Sequence, residues 1–358
     1  MPIEVAPGRL RPTAARRDVT SSAGGCGGKD QVSRSRLRRP ADPVGEVRHL
    51  SLVGATASGK TAAAVRYARR HGRVELVSVD AIAVYRGLDI GTAKPTAEER
   101  RGLRWHLVDA CDPDEDFSVA RYQAAARAAL GEIEGRRHRA VLVGGTGLYQ
   151  RAIVDELKLP GRYPDVARAL EAEADGPDGL AALYARLREV DPTAAARIEP
   201  TNRRRLVRAL EVAIGSGRLF SSSGEGLGHY GPTRFSLVGL TLGRDELDRR
   251  IAARLEAQLA AGFVDEVAAL LARRAGLSRT ARQALGYREL IGYLEGRTSL
   301  AAARAEILRR TRAFARRQES WFRRDPRIIW LDAARGDLDR AFDEAVGAAG
   351  RDETSARD

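Results

Sequence analysis

The chain has 358 residues, 43% of them hydrophobic, and a formal net charge of +13. That length accommodates one large domain or a domain with an insertion, and the composition is sufficient for a core. No apolar run approaches the ~20 residues needed to span a bilayer, the N-terminus lacks the apolar stretch of a secretory signal, and two cysteines, Cys26 and Cys111, cannot supply a disulfide framework or a zinc site unaided.

These features predict a reduced, cytoplasmic enzyme. Only four of the 61 basic residues are lysines. The sign of the charge suits a polyanionic partner, with nucleic acid the first candidate and a merely solvated surface the alternative.

Residues 1–46 hold SSAGGCGGKD, scattered prolines and the basic run RSRLRRP, without a hydrophobic period. They predict a disordered basic extension. The apolar run 49–53 predicts a buried strand, which leads into GATASGKT at 54–61. This is the pattern G-x-x-x-x-G-K-[ST]. Gly54, Ala55, Thr56, Ala57, Ser58, Gly59, Lys60 and Thr61 form a loop whose N–H groups point at an anion. Lys60 adds charge, and the Thr61 hydroxyl is a candidate Mg²⁺ ligand. A helix is expected over 62–70.

VELVSV (74–79) predicts a second strand, ending at Asp80. A helix around 119–134 precedes AVLVGG (140–145), and FSLVGLTL (235–242) and RIIWLD (327–332) read as further strands. Strands alternating with helices predict an α/β fold, a P-loop NTPase-like, mostly parallel sheet flanked by helices. Ligands of such sheets sit beyond the carboxyl ends of the strands. That puts residues 54–61, Asp80 and 144–146 on one rim. The expected core is 47–163 with 216–335.

The stretch 164–215 shows only helical patterning and is expected to form an inserted helical subdomain. Residues 215–234 read as a polar, glycine-rich connector, and 336–358 as a C-terminal helix with a flexible tail. One helix is predicted over 245–274, since Leu247, Ile251, Leu255 and Leu259 recur every four residues, followed by Val264, Val267 and Leu271. Arg250 and Arg254 share one of its faces. Residues 305–326 place Leu308, Thr311, Phe314 or Ala315, Gln318, and Trp321 or Phe322 in a stripe. Arg309, Arg310, Arg312, Arg316, Arg317 and Arg323 crowd the other faces, an arrangement suited to a phosphate backbone.

The stretch SVDAIAVYRGLDIGTAKP (78–95) sets Asp80 at a strand end opposite the loop. By chemistry alone Asp80 is a Mg²⁺ ligand through water, or a base, and a small-molecule kinase would use the same parts. Beyond that point the chain resembles the tRNA dimethylallyltransferase (tRNA isopentenyltransferase) family in its compact bacterial form. The matching stretches are GATASGKT, SVDAIAVYRGLDIGTAKP, LVGGTGLY (142–149), NRRRLVRALEV (202–212), DELDRRIAARLEAQLAAGFVDEV (245–267), ALGYREL (284–290) and TRAFARRQESWFRRD (311–325).

The resemblance implies transfer of a dimethylallyl group from dimethylallyl diphosphate to N6 of the adenosine on the 3′ side of the tRNA anticodon. The loop would hold the diphosphate with Mg²⁺ at Thr61, and pyrophosphate would leave. Asp80 would be the general base. Arg250 would contact the diphosphate, with Arg249 and Arg254 as local competitors. Thr146 would orient the adenine, its alternative role being a helix N-cap.

Ala81, Ile82 and Ala83 would line the entrance for the base. Arg168, Asn202, Arg203, Arg204, Arg205 and Leu206 would meet the anticodon stem-loop, as would Arg282, Gln283, Ala284, Leu285, Gly286 and Tyr287. The expected assembly is a monomer. Two departures stand out: Ala55 replaces a usual proline, and Ala81 to Ala83 replace a stretch with polar side chains. The competing readings are an isopentenyltransferase of free adenine nucleotides, the kinase, and a non-catalytic RNA-binding protein.

Overall fold

The computed structural model describes residues 49–224 and 226–349, with the side chains of 348 and 349 left aside. The extension expected at 1–46 and the last part of the expected tail lie outside the described residues.

Six strands, β1 (His49–Gly54), β2 (Val74–Val79), β3 (Trp105–His106), β4 (Arg139–Gly144), β5 (Phe235–Thr241) and β6 (Ile329–Asp332), form one sheet in the order β3-β2-β4-β1-β5-β6. All pairings are parallel. Side chains alternate between faces along each strand. Leu50, Leu52, Leu76, Val141 and Leu240 pack on one face with helices Lys60–His71 and Leu338–Ala349. Val53, Val77, Val79, Leu142 and Leu237 pack on the other, against helices that include Val119–Gly135 and Leu300–Phe322. Burial on both faces is why these strands read as near-continuous apolar runs.

Helices Pro164–Ala174, Gly179–Val190 and Arg203–Ser216 surround a separate core built on Leu170, Leu183, Leu187, Leu206 and Leu210. The connector that follows is pinned rather than loose. Arg151 donates to the carbonyls of Leu227 and His229, Arg327 donates to that of Gly231, and both guanidiniums lie over the Tyr230 ring.

Two helices differ from expectation. The single helix read over 245–274 is two, Arg244–Ala260 and Phe263–Leu271. The break falls at Gly262, whose φ of 93° lies in the left-handed region open to glycine. Its trace in the sequence is the five-residue step from Leu259 to Val264. The helix expected from 305 begins at Leu300, where the Ser299 side chain accepts the Ala302 N–H. On it Ala315 and Phe322 are buried, whereas Phe314 is exposed.

His49, fully buried on β1, ties the sheet together. Its Nδ1 accepts the Ala140 N–H at 3.1 Å, and Nε2 donates to Glu134 at 2.8 Å, so the ring is neutral. Burial pushes its pKa below 6.5. As pH falls below 6.5, the unfolded chain takes up a proton that the folded ring refuses, so stability declines. Urea midpoints measured down this pH range should fall less steeply for His49→Asn, which keeps an acceptor for Ala140. Identical slopes would remove His49 as the source.

Candidate active site

Four strand ends supply the site. β1 runs into the phosphate-type loop 54–61, β2 into Asp80, β4 into Gly145 and Thr146, and β5 into helix Arg244–Ala260. β4 lies between β1 and β2, so the Thr146 turn is flanked by the loop and Asp80.

The loop leads into helix Lys60–His71 through Gly59. No side chain caps that helix and no acidic residue stands in its first turn. Its free N–H groups and the positive end of its dipole are therefore left for an anion. Ala57 holds a positive φ of 63°, uncommon without glycine and typical of functional loops. The Ser58 hydroxyl is buried and unpaired among the described residues. Lys60 is buried, and its Nζ donates to the Ala55 carbonyl at 2.5 Å. Burial, reinforced by Arg254 and opposed by Asp80, pushes the lysine down to about 7.

Asp80 is held by its own turn. Oδ1 accepts the N–H groups of Ile82 at 2.8 Å and Ala83 at 3.1 Å, leaving Oδ2 to face a reactant. Thr146 occupies the N-cap position of helix Gly147–Val154, but its hydroxyl makes no cap bond. It accepts the Ala81 N–H at 3.2 Å instead, joining the β4 turn to the Asp80 turn. Behind them the Tyr122 and Tyr149 rings pack at a tilt of 35° with centroids 4.4 Å apart. Burial, with Tyr85 and Asp80 nearby, pushes the Tyr149 hydroxyl up to about 12.

The three arginines of helix Arg244–Ala260 separate by position. Arg249 points outward and pairs with Glu246. Arg250 also pairs with Glu246, at 2.7 Å, yet its Nη1 lies 3.9 Å from where a Cβ on Gly59 would stand. Arg254 reaches the Thr56 hydroxyl at 3.4 Å. It keeps solvent access while the surrounding protein pushes its pKa down, as for a side chain lining a concavity. Arg250 and Arg254 thus both face the loop.

Sequence reading missed Gln318. Its Oε1 accepts the Thr56 N–H at 2.8 Å and its Nε2 donates to the Gly145 carbonyl at 2.9 Å. The available signal was an amide within an apolar helical stripe. Sequence reading also missed how the GTAKP loop is held. Glu266 accepts the N–H groups of Asp89, Ile90 and Gly91, and Lys94 is buried between Asp89 and Asp109.

The expected RNA-facing residues divide. Arg168, Arg204, Arg205, Arg282 and Gln283 are exposed. Asn202 caps its helix through the Arg205 N–H, and Arg203 is tied to Glu171 and Asp175. Leu206, Ala284, Gly286 and Tyr287 are buried, so they pack beneath the surface of those segments. Tyr287 donates to Glu266 at 2.6 Å, and the Gly286 N–H donates to Glu289. Leu285 is half-buried. Of the expected base entrance, Ala81 and Ile82 are half-buried and Ala83 is buried.

No cluster of three or more His, Cys, Asp or Glu among the described residues could cage a metal, and no described helix is long and apolar enough to cross a membrane. Mg²⁺ does not need such a cage. It binds through one or two protein oxygens with substrate phosphates and water, and the Thr61 hydroxyl in the first turn of helix Lys60–His71 and the Asp80 carboxylate after β2 are oxygens of the kind that chemistry uses.

The IPP transferase family profile matches residues 83–325. A tRNA dimethylallyltransferase of Nocardioides sp. is 50% identical over 282 residues, covering 79% of this chain and 90% of its own length. The crystal structure of the tRNA isopentenylpyrophosphate transferase of Bacillus halodurans aligns with a TM-score of 0.63 at 36% identity, over 86% of this chain and all of that one. A eukaryotic dimethylallyltransferase acting on tRNA shares the fold, with a TM-score of 0.68 at 22% identity over 83% of this chain and 77% of that one.

An anion on the loop restores the charge of Lys60. Pyrophosphate binding should therefore take up a proton at pH values above about 7, and affinity should fall as pH rises through that value. Calorimetry in buffers of different ionisation heat reads the proton. Lys60→Met should bind more weakly and lose that uptake, and equal uptake by both proteins would show that another group titrates.

Proposed function

The chain belongs to the IPP transferase family, and on that premise we propose that it transfers a dimethylallyl group from dimethylallyl diphosphate to N6 of the adenosine 3′ of a tRNA anticodon. The observation that carries this reading is the pairing of a carboxylate with a loop that has strong unneutralised positive charge. The loop suits a diphosphate, and Asp80 stands across the β4 turn from it.

The exocyclic amine of adenine is a poor nucleophile. As N6 bonds to the allylic carbon, the carbon–oxygen bond to the diphosphate breaks and the N6 proton passes to Asp80 Oδ2. Oδ1, held by Ile82 and Ala83, keeps the carboxylate aimed. Negative charge builds on the departing pyrophosphate. Loop N–H groups, Lys60, Arg250 and Arg254 stabilise it there.

Thr61 would hold Mg²⁺ together with the diphosphate, and the ion would there supply further positive charge for the leaving group. Thr146 positions the turn on which the base rests. The base must leave its stack to reach the site. Arg168, Arg204 and Arg205 on the helices of 164–216, with Arg282 and Gln283, are proposed to hold the anticodon stem-loop. The protein is proposed to act as a cytoplasmic monomer.

Mass spectrometry of unmodified tRNA after incubation with protein, Mg²⁺ and dimethylallyl diphosphate tests the reaction. A dimethylallyl increment on the adenosine beside the anticodon is expected. Modification of free AMP in place of tRNA would overturn the acceptor. Asp80→Asn should retain tRNA affinity while kcat falls by about 10²- to 10⁴-fold; an unchanged kcat would remove Asp80 as the base. Arg250→Ala and Arg254→Ala should each raise the donor KM. A loss confined to tRNA affinity would take that arginine off the diphosphate.

A further inference from the structure

On the prenyl-transfer reading, on which this inference rests, donor and acceptor meet between the end of β1 and the end of β4. One buried side chain touches both ends. Gln318 accepts from the backbone of the donor loop and donates to the backbone of the acceptor turn. A Cβ on Gly145 would stand 2.1 Å from its Nε2, so this approach requires glycine.

The neighbouring turns of the same helix face repeat the arrangement. Ala315, one turn earlier, packs with Ala55 and Ala57 of the donor loop. Trp321, one turn later, lies against Gly147, where a Cβ would stand 2.1 Å from its Nε1. Gly145 precedes Thr146, whose hydroxyl holds the Ala81 N–H beside Asp80. A continuous path therefore runs from the donor loop through Gln318 to the turn that carries the base.

We propose that Gln318 is a positioning residue that sets the separation and mutual orientation of the diphosphate loop and the Asp80–Thr146 turn. It touches no reacting atom. The requirement is specific, because Thr56 N–H needs an acceptor and the Gly145 carbonyl needs a donor, both at the end of one uncharged side chain. A carboxylate would face the Gly145 carbonyl with a second acceptor. A protonated carboxyl would restore the amide pattern. Occupying the Thr56 N–H also keeps that donor away from the anion, so the diphosphate is held by the donors that follow it.

The test compares wild type, Gln318→Leu and Gln318→Glu at saturating tRNA, with thermal melts confirming that each is folded. Gln318→Leu should lower kcat by about 10- to 100-fold, as expected of misplaced reactants, while the donor KM moves far less. Gln318→Glu should be impaired at high pH. Its rate relative to wild type should recover as pH falls through the introduced carboxyl's pKa, which burial raises. A merely structural amide would give no such recovery.

A folded Gln318→Leu with wild-type kcat would overturn the proposal, as would a Gln318→Glu ratio that stays flat with pH. If the leucine variant does not fold, the pH profile of the glutamate variant decides. An inactive wild type would overturn the reaction and this proposal together, whereas an active wild type with unimpaired variants overturns the role of Gln318 alone.

Discussion

Positive charge gathered at the carboxyl end of β1 is the constraint around which the site is built. Lys60 is buried there, the helix it begins has no cap and no acid in its first turn, and Arg254 stands over the loop. Holding such charge without a counter-ion is costly, and the depressed pKa of Lys60 expresses that cost. A carboxylate placed against the loop would relieve it but would occupy the position of the anionic substrate. The loop is accordingly shaped by neutral contacts. Ala55 and Ala57 pack with Leu247, Ile251 and Ala315, and an amide takes the Thr56 N–H.

Among the described residues, buried charges away from the site have partners of opposite charge or hydrogen-bond donors, and the contrast marks the site. Glu75 is held by Arg136, His106 and His138, which keep its carboxyl at about 2. Arg327 is paired with Asp155 and Asp325. Lys94 looks like a second phosphate-binding lysine in a small-residue loop, yet its three donors go to Asp89, Asp109 and the Tyr85 carbonyl. Its function is to brace the segment after Asp80. Gln258 completes the brace by donating to the carbonyls of Ile90 and Gly91. Gln258 lies on the helix that carries Arg250 and Arg254, so the arginine side of the site and the segment behind the base are fastened to each other.

What the sequence makes legible follows from how local each determinant is. The loop 54–61 is a contiguous motif, and strands buried on both faces announce themselves as apolar runs. β3 does not, because two half-buried residues at a sheet edge carry no pattern. The helix break at Gly262 left only a five-residue step in the apolar spacing. The arginines proposed to face RNA could be named by type, but burial of Leu206, Ala284 and Tyr287 depends on packing between segments remote in the chain. Arg254 and Gln318 belong to the same class. Their chemistry is visible in the sequence, whereas their proximity to Thr56 exists only in the fold.

The helix Leu300–Phe322 shows how the two kinds of information combine. Its arginine count suggests a uniformly basic face, but several of those charges are answered within the protein. Arg309 pairs with Glu306, Arg310 with Glu289 and Arg312 with Asp248. Arg316 and Arg317 are exposed and have no carboxylate partner among the described residues. They immediately precede Gln318 in sequence while the glutamine turns inward. A polyanion drawn to these two charges, with release of its counter-ions, would dock on the outer side of the turn whose inner side joins the diphosphate loop to the Asp80–Thr146 turn. Docking and alignment would then share one rigid element, and bringing the acceptor to the donor would require no rearrangement of that helix.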